Sequence, residues 1–265
     1  MHLLYIGDVM GEMGIEVVEQ VLPGLRRAEK IDVVIAQAEN VSGGKGLNVA
    51  DYERLKAVGV DGFSGGNHTP SLPETLQLLR DPDIPVVAPA NMPDVPGSGY
   101  TYVLGAGGSK VLLISLLGKI VGRDADRPIQ NPLHKIDEIL ARENFFNRGT
   151  VVVNFHGDYS SEKVVIGHYL DGKVSVAVGD HWHVPTADAR VLPGGTAHQT
   201  DVGMCGVLDS SLGVAYDSVI PRWRDGRQTR NVLQTAGPRQ FNALLVAVDD
   251  QTHLATSARA VQKIL

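Results

Sequence analysis

Residues 62–70, GFSGGNHTP, close an apolar run that begins near Val58 and leave it through two adjacent glycines, presenting Asn67 and His68 side by side. Paired glycines at such a point permit a close backbone approach that a side chain would block. A strand that ends in polar, ligand-capable residues is the pattern of an open α/β sheet, where ligands bind outside the carboxyl ends of the strands. The same pattern recurs along the rest of the chain.

Strand-like runs lie at residues 3–7, 33–37, 62–64, 86–88, 111–117, 150–154 and 174–178, alternating with helical patterns. Such alternation predicts βαβ units around a largely buried sheet, and so an α/β fold. Residues 15–28 read as a helix that Pro23 breaks or kinks, and residues 49–58 as a shorter one after Asn48. Ser71 and Glu74, with Pro73 between them, suggest a capping box for a helix over 72–79, and 133–142 is a further amphipathic helix. After Thr186 the pattern changes to short strands and glycine-rich loops, ending in a hairpin turned at Asp249-Asp250, so the second half is expected to be more antiparallel. No repeat or flexible linker divides residues 1–265, which read as a single domain.

Composition narrows the function. A formal net charge of -6 argues against an electrostatic grip on long nucleic acid, which needs a basic face. The single cysteine, Cys205, excludes an internal disulfide framework and any Cys-rich zinc or iron–sulfur site, and fits a reducing cytoplasm. The opening MHLLYIGDVMG has no basic leader, and its apolar run is far shorter than the ~20 residues that span a bilayer, so neither a signal peptide nor a membrane anchor is expected. A homo-oligomer suits a chain of this size.

The chemistry sits at the ends of the runs: Asp8 after LLYIG, Glu39-Asn40 after VVIAQA, Asn67-His68 after GFSGG, His156 after VVVNF, and His181 and His183 after VAVGD. Taken singly, each has a structural explanation. An Asp after a strand commonly caps a turn, and a lone His commonly makes a structural hydrogen bond. Five strand ends carrying only Asp, Glu, Asn and His are a different matter, because the topology brings them together. Carboxylate, amide and imidazole donors without thiolate suit Mn, Fe, Zn or Mg, with the imidazoles tilting the choice away from Mg. The donors exceed one four-ligand zinc site and suffice for two metals sharing a carboxylate, for which Glu39, on a strand expected near the middle of the sheet, is the candidate.

Other motifs carry less. GDVMGEMG lacks the G-x-G-x-x-G spacing of a dinucleotide site, and SGGKG (42–46) lacks the Ser or Thr and the upstream glycine of a P-loop. There is no G-x-S-x-G elbow, and Cys205 has no histidine beside it in sequence. Trp182 reads as packing as readily as a stacking surface.

The ordered set Asp8, Glu39-Asn40, GNH at 66–68, His156 and GDHWH at 179–183 resembles the calcineurin-like metallophosphoesterase superfamily. It is most similar to the small bacterial YmdB-like branch, sharing IGDVMG, AENVSGGKGL, GGNHT, FHGDYSSEK, HVPTAD and TDVGM. Val9 and Met10 follow Asp8 where the wider superfamily has Asp-x-His, and Asn40 is placed to substitute for that histidine. Glu39 replaces the usual bridging aspartate, Thr69 stands where many relatives have an acid, and Asp180 interrupts Gly-His-x-His, so only His181 and His183 carry over. The resemblance implies an αββα sandwich of two mixed β-sheets flanked by α-helices. It implies one metal held by Asp8, Glu39, Asn40 and His183, and a second by Glu39, Asn67, His156 and His181, with Fe or Mn ahead of Zn or Mg. It implies a phosphodiesterase that hydrolyses cyclic nucleotides of the 2′,3′- or 3′,5′-cyclic AMP type through a metal-bridging hydroxide, with His68 as the acid for the leaving oxygen. Phosphomonoesterase activity at the same site, a non-catalytic metal-dependent nucleotide-binding regulator and a dinuclear amide hydrolase are the alternatives.

Overall fold

A computed structural model describes residues 1–143 and 149–265, and among these the strands form two mixed sheets. The first contains β1 (His2–Ile6), β2 (Asp8–Val9), β3 (Val33–Gln37) and β4 (Gly62–Ser64) from the first part of the chain. The second sheet is β5 (Tyr100–Leu104), β6 (Lys110–Leu117), β7 (Thr150–His156), β8 (Val176–Asp180), β9 (Arg190–Val191) and β10 (Ala197–Gln199). The chain then returns to the first sheet with β11 (Met204–Val207), β12 (Arg239–Val248) and β13 (Ala255–Ile264). Spatial order is β2-β11-β12-β1-β3-β4 with β13 on β12, and β5-β6-β7-β8-β10-β9. Among the described residues the α-helices are α1 (Gly11–Ala28), α2 (Val49–Val58), α3 (Pro73–Leu78), α4 (Pro132–Arg142), α5 (Ser160–Tyr169) and α6 (Tyr216–Asp225).

Side-chain alternation assigns each residue to a layer. Leu3, Tyr5, Val33, Ile35, Leu244 and Val246 face Val111, Leu113, Val152 and Val176 in an apolar layer between the sheets. Their neighbours Leu4, Ile6, Val34 and Ala36 turn outward onto Val18 and Leu22 of α1 and Leu55 of α2. On the far side, Leu112, Ile114 and Val153 meet Ile136 and Ile139 of α4 and Ile166 of α5. Because the central strands are covered on both faces, they read as continuous apolar runs rather than alternating ones. The result is the αββα sandwich that the resemblance implied, and it places the carboxyl ends of β3, β4, β7 and β8 at one rim.

Several local expectations change. Residues 86–88 form no strand; Val86 makes one isolated bridge to Phe63, and the segment is bounded by Pro85 and Pro89, which cannot donate to a ladder. β8 begins and ends two residues later than expected, carrying Asp180 into the strand. α1 starts at Gly11 and continues through Pro23. Ser71 makes no cap: it ends a 3-10 turn, and α3 starts at Pro73 with Leu72 as its uncapped N-cap. Asn48 does cap α2, accepting from Asp51 N at 2.7 Å. β3 is the neighbour of edge strand β4 rather than a central strand. After Thr186 the pairs β9–β10, β11–β12 and β12–β13 are antiparallel, while β10 and β11 each keep one parallel partner, β8 and β2.

Candidate metal centre

The first sheet supplies Asp8 from β2, Glu39 and Asn40 just past β3, and Asn67 and His68 just past β4. The second supplies His156 from the last position of β7, and His181 and His183 from the turn after β8. All seven predicted ligands converge. Asp8 and His156 are fully enclosed, and Glu39, Asn40 and Asn67 are buried nearly as deeply. The glycines of the opening stretch now have a reason: a Cβ on Gly66 would lie 2.5 Å from His156 Cγ and Cδ2 and would clash with the Glu39 carboxylate. Gly66 is therefore where the two sheets' contributions touch.

Glu39 stands at the middle of the cluster. Its Oε1 is 3.2 Å from His156 Nε2, 3.2 Å from Asn40 Nδ2 and 3.4 Å from His68 Nδ1, and its Oε2 accepts the His68 backbone N–H at 2.8 Å. On one side, Asn40 Nδ2 also lies 3.0 Å from Asp8 Oδ1 and 3.3 Å from His183 Nε2. On the other, His156 Nε2 is 3.0 Å from Asn67 Oδ1, and Glu39, His156 and His181 offer ligand atoms within 4.8 Å of one another. The His156 and His181 rings meet edge to face at 4.5 Å.

The donor set fits cations. Asp8, Glu39 and His183 direct acceptors at the point where Asn40 Nδ2 sits, so an N–H donor stands where a cation would be held; a half-turn of that amide presents its carbonyl instead. Burial, reinforced by the nearby Asp180 charge, pushes the Asp8 carboxyl well above its usual range, so negative charge here lacks compensation. Burial also opposes ionisation of Glu39, but the adjacent His156 outweighs it and holds that carboxyl low. Burial disfavours a charged His156, yet Glu39 and Asp180 push its pKa well up. His183 is pushed down to about 4, first by burial, and its Nδ1 donates to Leu212 O at 3.0 Å, leaving the Nε2 lone pair to face Asn40 Nδ2 at 3.3 Å.

Four further residues hold this arrangement and were not singled out from the sequence as site residues. Asp180, which in the sequence only interrupts a motif, is fully buried, lies 2.6 Å from His156 Nδ1, and accepts from Tyr5 OH at 2.7 Å and Asn154 Nδ2 at 2.9 Å. Such a carboxylate fixes the tautomer and plane of a ligand histidine. Asp124 accepts from Asn67 Nδ2 at 2.8 Å, turning the Asn67 carbonyl toward His156. Asp201 accepts the Trp182 backbone N–H at 2.9 Å and is paired at 2.7 Å with the fully buried Lys163, whose ammonium lies 3.9 Å from the Trp182 ring. That pair steadies a turn in which His181 and His183 both adopt positive φ, +102° and +63°, a conformation uncommon for residues other than glycine. Asp180→Asn removes the acceptor behind His156 and is expected to weaken metal binding about 10–100-fold. Chelator-competition titration measures it, and an unchanged affinity would exclude the orienting role.

The YmdB-like protein family model matches residues 4–261. A 2′,3′-cyclic-nucleotide 2′-phosphodiesterase of Bacillus subtilis (strain 168) is 36% identical over 263 residues, covering 98% of this chain and 96% of that protein. Among solved structures, a hypothetical protein from Thermus thermophilus superposes with a TM-score of 0.89 at 35% identity, covering 100% and 99% of the two chains. A novel phosphatase from Mycoplasma pneumoniae does so with a TM-score of 0.90 at 28% identity, covering 100% and 93%. Sequence, fold and strand-end pattern thus agree over nearly the whole length, and the chain belongs to the YmdB-like protein family.

Proposed function

We propose that this chain is a metal-dependent phosphodiesterase whose substrates are cyclic nucleotides of the 2′,3′- or 3′,5′-cyclic AMP type. The observation that carries the reading is the meeting of two buried donor sets at one carboxylate oxygen, Glu39 Oε1. The name of the Bacillus subtilis relative favours the 2′,3′-cyclic class. The Mycoplasma pneumoniae relative, described as a phosphatase, supports phosphomonoester hydrolysis at the same site as a second reading.

In this proposal Asp8, Glu39, Asn40 and His183 hold one metal and Glu39, Asn67, His156 and His181 the other, with Fe or Mn favoured by imidazoles and carboxylates without thiolate. When bound, such a pair polarises phosphoryl oxygens and makes a water nucleophilic near neutral pH. The protein's part is positioning. Asp180 and Asp124 aim the His156 ring and the Asn67 carbonyl. The backbone N–H of His68 fixes Glu39 Oε2, and Gly66 lets the main chain pass directly against Glu39 and His156. His68, about one third exposed, stands at the open side of the cluster with Nδ1 2.8 Å from Asn40 Oδ1, and is the candidate acid for the leaving oxygen. Among the described residues no helix is long and apolar enough to cross a membrane. With the lone Cys205 buried, a cytoplasmic location belongs to the same proposal.

Hydrolysis of bis(p-nitrophenyl) phosphate by chelator-stripped protein, with and without Mn(II), tests it. Turnover is expected only with metal. Silence from folded protein of confirmed metal occupancy would reject the phosphodiesterase reading and favour a nucleotide-binding regulator.

A further inference from the structure

Beside Asn67 lies a cleft of about 460 Å³ whose inner wall is built from Asp124 and Arg127. Both touch the same proposed ligand residue: Asp124 accepts from Asn67 Nδ2 at 2.8 Å, and Arg127 Nη1 donates to Asn67 O at 2.7 Å. Whatever enters the cleft therefore rests against the wall of the metal centre. Its volume falls within the roughly 300–1,000 Å³ of small-molecule sites. Pro70, Met92 and Val95 give it an apolar side suited to a flat ring.

Its charge is selective. Among the described lining residues, Asp94, Asp124 and Asp126 outnumber the one cation, Arg127. Arg127 is committed to Asn67 O and lies 3.6 Å from Asp124, so it offers little to a second anion. Asp94 and Asp126 are exposed at the opening. Carboxylates there accept hydrogen bonds from amino and hydroxyl groups and repel phosphate.

We propose that this cleft receives the nucleoside of the substrate, and that its carboxylates select an uncharged nucleoside over one bearing a further phosphate. This rests on the phosphodiesterase reading above and adds to it which face of the site binds the organic part, and which nucleotides are refused. Oligonucleotides with a 5′-extension are refused by the same charge.

The test compares kcat/KM for adenosine 2′,3′-cyclic phosphate with that for the same compound carrying a 5′-phosphate, in the metal-loaded wild type and in Asp94→Asn/Asp126→Asn. The wild type should prefer the first at least tenfold, and the double variant should bring the ratio most of the way to one. The ratio should also narrow as salt rises, since it reflects charge. Equal use by the wild type, or a ratio indifferent to the variant, would overturn the inference. Bis(p-nitrophenyl) phosphate, run in parallel, separates the two failures: its turnover with a flat ratio sinks only the cleft. Calorimetric titration with adenosine gives a reading independent of turnover. Pro93→Trp, at an exposed lining position, should weaken adenosine binding at least tenfold, and an unchanged affinity would overturn the proposal.

Discussion

Glu39→Gln should empty both of the proposed metal positions together and lower kcat/KM by roughly 10³-fold or more, since several kcal/mol of charge stabilisation is at stake and each 1.36 kcal/mol is tenfold. The substitution keeps the shape of the side chain, so its packing against His156 and the Gly66 main chain is undisturbed. What changes is chemistry. A carboxylate offers two acceptor oxygens, and here they are used at once, Oε1 toward His156, Asn40 and His68, and Oε2 toward the His68 N–H. An amide must place an NH₂ at one of those points, either against a cation position or against an existing donor. Asn40→Ala is the contrast. Asn40 approaches Asp8, His183 and Glu39 but is bonded to neither His156 nor Asn67, so its loss should deplete chiefly one position. Elemental analysis of the purified variants separates the cases. Normal stoichiometry in Glu39→Gln would end the bridging role.

How much of this was legible in the sequence depends on the range over which each feature is determined. The strand-end side chains were readable because a buried strand is an uninterrupted apolar run, and the polar residue that ends it stands out against it. That logic located Asp8, Glu39, Asn40, Asn67, His156, His181 and His183 without a fold. It failed where burial and polarity part company. Lys163 is fully enclosed on α5, while Val164 and Val165 beside it face solvent, so the helix has no apolar stripe to betray it. β5 escapes the pattern because its first three residues are only half-buried at a sheet edge. The capping box at Ser71 matched a short-range rule, but the chain was already committed to the 3-10 turn that follows His68. Asp124 and Asp180 gain their roles from partners 57 and 24 residues away, distances across which spacing carries no signal. The clustered side chains were therefore visible as a pattern, and the residues that orient them only as contacts.

His68→Ala is expected to keep its metals and lose about 10²–10⁴-fold in turnover of a cyclic nucleotide, the range of a general acid. The geometry separates this residue from the ligands. His68 contacts Asn40 Oδ1 and Glu39 through Nδ1, but it is the most exposed of the clustered histidines, and Asp8, Asn67, His156 and His183 hold their mutual contacts without it. A hydrogen bond to phosphate would be lost in the same variant, so turnover of one substrate does not identify the role. The leaving group does. A ribose oxygen departs as a strongly basic alkoxide and needs a proton, whereas p-nitrophenolate departs as a stabilised anion and needs little help. If His68 delivers that proton, the deficit in His68→Ala should be large for 2′,3′-cyclic AMP and small for bis(p-nitrophenyl) phosphate. If it only binds phosphate, the two deficits should match, because both substrates present the same diester oxygens. Equal deficits would remove the acid assignment while leaving the metal centre intact. An Asn at this position could retain a hydrogen bond but could not transfer the proton, so His68→Asn should show the same leaving-group dependence as His68→Ala.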